Sequence, residues 1–357
     1  MKKLILCAAT LVAAFHGMAQ QRKTENIVIV TMDGMRWQEI FGGVDTALAH
    51  NEHFAPEGQE SLKNFGADST ASSRERLLPF FWGTIAKQGQ LYGNRSEGNL
   101  VNVANRYQFS YPGYNEMFTG YPDTLVNSND KNYNKNTTVL EYINQQPGFK
   151  GKVAAFSTWD AFPYILNMPR SGVYVNAAMD SIPATTPALT LIGEQVRLSP
   201  KYLGGRPDEF TYMAGREYLK ANHPRVLYIA FDDTDEFAHA GKYDEYLKQA
   251  HAEDAMLADL WHTLQSQPQY KNKTTLIVLC DHGRGGAGLP TWTSHGQDVK
   301  ESGQIWMAFL GPDTRALGEI KTQQQVYQQQ IAATIAGLLG MQFSAAHPVA
   351  PPLTHVF

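Results

Sequence analysis

The sequence predicts an α/β fold, a mostly parallel central sheet with helices on both faces in three layers, and three observations carry that expectation. Apolar residues recur in continuous runs, at 27–30, 153–156, 226–231, 276–280 and 305–310, and not in alternation. Strands buried on both faces read this way, as in a parallel sheet covered by helices. Helical stretches lie among the runs, at 74–87, 207–221, 243–265 and 323–339, and alternating strand with helix gives a doubly wound layer structure. Polar and acidic residues then cluster just beyond most of the apolar runs, where open α/β sheets form their ligand sites.

The front of the chain reads differently. Lys2 and Lys3 precede an apolar run over 4–15 and the small-residue pattern Gly17-Met18-Ala19, which predicts a secretory signal peptide over 1–19. About twelve apolar residues are too few to cross a bilayer, which takes roughly twenty. The expected product is therefore exported, periplasmic or extracellular, without stable membrane insertion. Residues 20–357 contain no Gly/Ser linker, charge run or repeat, and read as one large α/β domain with loop insertions. Of the two cysteines Cys7 falls in the leader, so no intramolecular disulfide is expected, and Cys280 reads as a small buried hydrophobe. Formal charge is −4, or −6 once Lys2 and Lys3 leave. That balance disfavours nucleic-acid polymer as a partner, because phosphate backbones need a basic surface. A small anionic substrate held by metal stays compatible.

Five short stretches carry the candidate chemistry. Asp33, in Thr31-Met32-Asp33-Gly34, follows the first run, where a carboxylate is well placed for a metal and glycine permits a tight turn. Ser110 precedes Pro112 at the start of a short helix, whose positive end stabilises an alkoxide and lets phosphate dock. Asp235 and His239 stand four apart, so on a helical turn they share a face and can grip one ion. Asp281, His282 and Gly283 end the fourth run and present adjacent oxygen and nitrogen ligands on a sharp turn. His295 sits in a polar loop ahead of the fifth run, and gains weight only from the other four.

Taken in order, these pieces resemble the alkaline phosphatase superfamily, and within it the type I phosphodiesterase and nucleotide pyrophosphatase group. The resemblance implies an alkaline-phosphatase-like fold and two divalent metal ions, with zinc favoured. It implies that Asp33, Ser110, Asp281 and His282 hold one ion, and that Asp235, His239 and His295 hold the other. It also implies a double displacement in which Ser110 attacks phosphorus and forms a phosphoseryl enzyme. The expected substrate is a small phosphorylated molecule: a nucleotide, sugar or lipid head group. Nucleotide-cleaving relatives usually have a threonine nucleophile and an asparagine that bonds a phosphate oxygen. The chain has Ser110 and Gly113 instead, with Asn115 as the candidate substitute. Trp159, as a stacking surface, and Arg170, as a phosphate partner, are the further candidates for substrate contact. Three alternatives compete with phosphoester hydrolysis. A sulfatase would share the Ser110-Tyr111-Pro112 spacing but lacks its arginine here, and a phosphoglycerate-mutase-like enzyme would carry a large insert after Ser110. An inactive phosphate-binding protein would have no need of all seven ligands. The loop 283–288 is read as a flexible glycine-rich connection to His295.

Overall fold

The computed structural model describes residues 22–200, 205–286 and 290–357; the leader expected over 1–19 lies outside them. Eight strands form the central sheet: β1 (Asn26–Met32), β2 (Gln90–Tyr92), β4 (Val153–Ser157), β5 (Tyr174–Ala177), β6 (Val226–Phe231), β7 (Thr274–Leu279), β9 (Met307–Leu310) and β10 (Gly318–Glu319). Their order is β10-β2-β9-β7-β1-β6-β4-β5. All pairings are parallel except those of β9, which runs antiparallel to β2 and β7. A second sheet of β3 (Asn99–Asn102), β8 (Gln304–Ile305) and β11 (Gln324–Tyr327) sits in the order β11-β3-β8.

The continuous apolar runs are continuous because their strands have no wet face. Every residue of β1, β4, β6, β7 and β9 is buried. The helix Asp208–Asn222 lies against β4 and β6, where Ile229 and Phe156 leave no space beyond Gly215 for more than a methyl group. Cys280 is free and buried in this core, as its apolar neighbours predict.

Three expected elements are divided in the structure. The run 305–310 splits at Trp306: Ile305 pairs with Val101 in the small sheet, while Met307–Leu310 joins the large one. Trp306 turns inward between them, fully buried, with its indole N–H on the Met35 carbonyl at 2.9 Å. The stretch 74–87 breaks before Pro79, whose ring cannot continue a helix. An α-helix, Thr70–Leu77, is followed by the wide turn Phe81–Ile85. Asp254 caps that turn, accepting the Phe80 and Phe81 N–H groups at 2.7 and 3.0 Å. The stretch 323–339 is strand β11, one turn at Gln328–Gln330, and the helix Ile331–Leu338.

Candidate metal centre and nucleophile

The carboxyl ends of β1, β6 and β7, neighbours in the sheet, place the candidate residues together. Asp33 leaves β1, and Gly34 turns the chain at φ +58°; a Cβ there would lie 2.3 Å from Asp235 Oδ1, so only glycine fits. The Asp33 carboxylate accepts the Tyr114 hydroxyl at 2.7 Å, and its backbone carbonyl accepts Thr234 Oγ1 at 2.7 Å. Beyond β7, Gln328 Nε2 donates to the carbonyls of Cys280 and Asp281 at 3.0 and 2.9 Å. This fixes the turn that aims Asp281 and His282 inward.

Ser110 is the first residue of the helix Ser110–Thr119, after Phe109 in extended backbone. Gly113 has a packing reason: a Cβ there would lie 2.6 Å from the Asp281 carbonyl oxygen. That close seat brings Ser110 Oγ to 3.4 Å from His282 Nε2. On the same helix, buried Glu116 accepts the backbone N–H groups of Ala104, Asn105 and Gln329 and the Asn105 amide, at 2.7–3.0 Å. Four donors on one carboxylate pin the chain leading to Ser110. Gln108, two residues before Ser110, is held at φ +55°, a conformation that stores strain beside a functional side chain.

The remaining candidate ligands complete a compact cluster. His239 Nε2 lies 2.9 Å from Asp235 Oδ2 and 3.0 Å from His295 Nε2. The His295 ring stacks on His282 at 3.8 Å. His282 Nε2 stands 3.2 Å from Asp33 Oδ1, 3.5 Å from Asp281 Oδ2 and 3.8 Å from Asp235 Oδ1. Donor atoms thus converge in two groups, Asp33–Asp281–His282 and Asp235–His282–His295, with His282 between them. Asp33, Asp281 and His282 are fully buried, whereas His239 sits at the mouth.

The electrostatics fit cations. Burial, and next the Asp235 charge, push the Asp33 carboxyl well above its usual range. Burial and then Asp33 do the same to Asp281. Asp235 behaves oppositely: burial would raise it, but the Arg284 guanidinium and then His295 hold it well below. Burial, then His282, drives His295 down to about 2, so its ring is neutral and keeps a lone pair. Asp33 Oδ1 and Asp281 Oδ2 are buried without a hydrogen-bond partner. Orphaned carboxylate oxygens beside the neutral His295 imidazole form a donor set that divalent cations would satisfy.

The three expected substrate contacts fare differently. Asn115 is buried away from the cluster: its amide donates to the Tyr121 carbonyl at 2.9 Å, and its oxygen accepts Asn134 and Asn136 at 3.1 Å each. Its side chain is thus bonded to protein groups on both its oxygen and its nitrogen. Arg170 is equally committed, to Glu141 at 2.7 Å and to the carbonyls of Asn134, Lys135 and Asn136 at 2.8–3.1 Å. Trp159 packs edge-on against Phe162, which packs on Tyr114, so two rings separate it from Asp33. Asn115 and Arg170 instead clamp the segment that brings in Asn129, which sequence reasoning missed. Asn129 Oδ1 accepts the Tyr111 N–H at 2.9 Å, one residue after Ser110. Arg284, read as part of a flexible loop, is also in the centre, buried against Asp235. The sequence signals were an asparagine in a polar stretch and an arginine following Asp-His-Gly, each too common to single out.

A three-layer α/β sheet with two candidate metal-binding groups of carboxylates and imidazoles beside a helix-borne serine fits a hydrolase of the alkaline phosphatase superfamily. The type I phosphodiesterase / nucleotide pyrophosphatase family model matches residues 44–287, and the chain belongs to that family. The matched span includes Ser110, Asp235, His239, Asp281 and His282 and leaves Asp33 and His295 outside it. A comparison with curated protein sequences finds no match. Among solved structures, wild-type alkaline phosphatase PafA shares 12% identity at a TM-score of 0.61, covering 94% of this chain and 99% of its own. The lipoteichoic acid synthase LtaP from Listeria monocytogenes shares 13% at 0.57, covering 90% and 73% respectively. Both likenesses show the fold.

Proposed function

We propose that this family hydrolase is an exported phosphodiesterase that works through Ser110 and two zinc ions. The observation that carries the reading is the seat of Ser110 Oγ, 3.4 Å from His282 Nε2 at the start of a helix and facing the Asp33–Asp281–His282 group. Asp33, Ser110, Asp281 and His282 would hold one ion; Asp235, His239 and His295 would hold the other. When bound, the ions supply the charge that ionises Ser110 and neutralises the attacking and departing oxygens. Ser110 Oγ attacks phosphorus in line, the alcohol departs, and a phosphoseryl enzyme forms and is hydrolysed by water. The N-terminal end of the Ser110–Thr119 helix and the Asn129 amide hold a non-bridging phosphate oxygen. A diester is the preferred substrate. Arg284, the arginine in contact with the candidate ligands, is taken up by Asp235 and two backbone carbonyls. The cluster therefore offers no free protein cation, among the described residues, for the second charge of a monoester. Export rests on Lys2, Lys3 and the apolar run after them, and residues 20–357 are proposed as one catalytic domain.

The test combines metal content by mass spectrometry with hydrolysis of bis-p-nitrophenyl phosphate, p-nitrophenyl phosphate and p-nitrophenyl sulfate. The expected result is two zinc per chain, faster diester than monoester cleavage, and loss of about 1,000-fold or more in kcat for Ser110→Ala. One bound calcium with sulfate cleavage would overturn it.

A further inference from the structure

We infer that Arg284 is a positioning residue that ties the His295-bearing segment to Asp235 and so sets the geometry of the second ion site. The inference rests on the reading that Asp235, His239 and His295 hold that ion. Arg284 is among the largest fully buried side chains of the molecule. Its guanidinium spends its donors in three directions. Nη1 meets Asp235 Oδ1. Nε donates to the Trp292 carbonyl at 3.1 Å and Nη2 to the Thr293 carbonyl at 2.7 Å.

Those two carbonyls belong to a short turn, Pro290–Thr293, that delivers His295 two residues later. The turn is anchored from the other side by Trp292, whose fully buried ring packs edge-on against Phe54 at 5.5 Å and Tyr243 at 5.4 Å. A backbone bond from Gly285 N–H to the Ser294 carbonyl at 3.1 Å adds a second stitch. Arg284 thus adds a hydrogen-bonded side-chain link, beside the His282–His295 stack, between the strand-end motif Asp281-His282-Gly283 and the loop that supplies the last histidine. The tie also divides the labour of Asp235. Oδ1 is occupied by the guanidinium, and Oδ2 is the oxygen that faces His239 Nε2 at 2.9 Å. One carboxylate oxygen is thereby reserved for the ion, and the planar fork of arginine reaches three acceptors as an ammonium cannot.

Space around the tie is closed. A Cβ at Gly34 would lie 2.9 Å from Arg284 Nη1, and one at Gly285 would lie 2.2 Å from the Thr291 carbonyl oxygen. The guanidinium is buried and bonded to three protein acceptors, so its role is to hold protein groups.

The experiment measures zinc per chain by mass spectrometry at a series of buffered free-zinc concentrations, for wild type, Arg284→Gln, Arg284→Lys and Asp235→Ala. The melting temperature of each metal-free protein is measured alongside. Arg284→Gln is expected to lose one of two ions at zinc concentrations that saturate wild type, with affinity at that site falling at least 10-fold while the other ion stays. Arg284→Lys keeps a buried cation but not the fork, so it is expected to lose the same ion, and it stands in if Arg284→Gln does not fold. Retention of both ions at wild-type affinity in either variant, while Asp235→Ala loses one, would overturn the role of Arg284 alone. If wild type itself binds fewer than two ions and Asp235→Ala changes nothing, the underlying site assignment fails instead.

Discussion

Gly113 and Asn129 show how one backbone contact redirects a catalytic requirement. The helix Ser110–Thr119 can seat against Asp281 only because position 113 has no side chain, so a polar group cannot be offered to phosphate from there. In the proposed reading Asn129 would supply one from a different segment, with its Oδ1 fixed by the Tyr111 N–H and its Nδ2 free of protein partners among the described residues. Fixing one end of a carboxamide orients the other at little further entropic cost. Asn129→Ala is expected to lower kcat for the diester about 100-fold, the usual effect of removing one oxyanion donor. Unchanged kcat in steady-state assays, with metal content intact, would remove Asn129 from the phosphate site. The candidate ligands themselves were legible in the sequence, because Asp33, Asp235, Asp281 and His282 all follow apolar runs at β-strand ends. Asn129 and Arg284 were not, because what gives them meaning is a hydrogen bond across many residues of chain and not a local pattern.

The elements that sequence periodicity rendered well are those with an unbroken burial pattern, such as β6 at Val226–Phe231, buried at every residue, and the long helix Tyr243–Ser266, whose buried positions recur every three or four residues. Those it merged are interrupted by a single residue that serves a separate purpose, whether Trp306 turning inward between two sheets or Pro79 ending a helix. In the second case the break is capped from far away by Asp254, on the Tyr243–Ser266 helix. Burial pushes that carboxyl up to about 7, although the Phe80 and Phe81 N–H groups oppose the shift. An acid whose pKa is raised on folding holds its proton more tightly in the native state. Its contribution is fully present below the unfolded value near 4 and is lost as pH rises through the folded value. Metal-free wild type should therefore lose stability between about pH 4 and 7 through Asp254, by on the order of a few kcal/mol. Asp254→Asn should flatten that slope, as read from urea midpoints at pH 5 and pH 7.5. A parallel slope in the variant would show that the cap does not titrate in this window.

Viewed across the whole chain, a wide buried sheet gathers acidic groups at one edge and leaves them without enough protein cations. Asp33 and Asp281 are raised by burial and then by other carboxylates, and Asp232, beside them, is raised by burial and then by Asp33 and Asp235. A domain of this kind is stable either with protons on those groups or with metal in their place. The two options compete, because a carboxylate must shed its proton to become a ligand. Zinc should therefore stabilise the protein more at high pH, where no proton has to be displaced, than at low pH, where each bound ion releases protons. The expected outcome is a larger difference in melting temperature between zinc-loaded and chelator-stripped protein at pH 8 than at pH 6, together with proton release on zinc binding that grows as pH falls. His295 bears on the same balance from the opposite direction: held neutral with a pKa of about 2 by burial and then His282, it needs no deprotonation across that range. His295 therefore adds nothing to the pH dependence of metal stabilisation. Equal zinc stabilisation at both pH values, with no proton release by calorimetry in buffers of different ionisation enthalpy, would mean that the buried acids are already ionised without metal and that some other cation balances them.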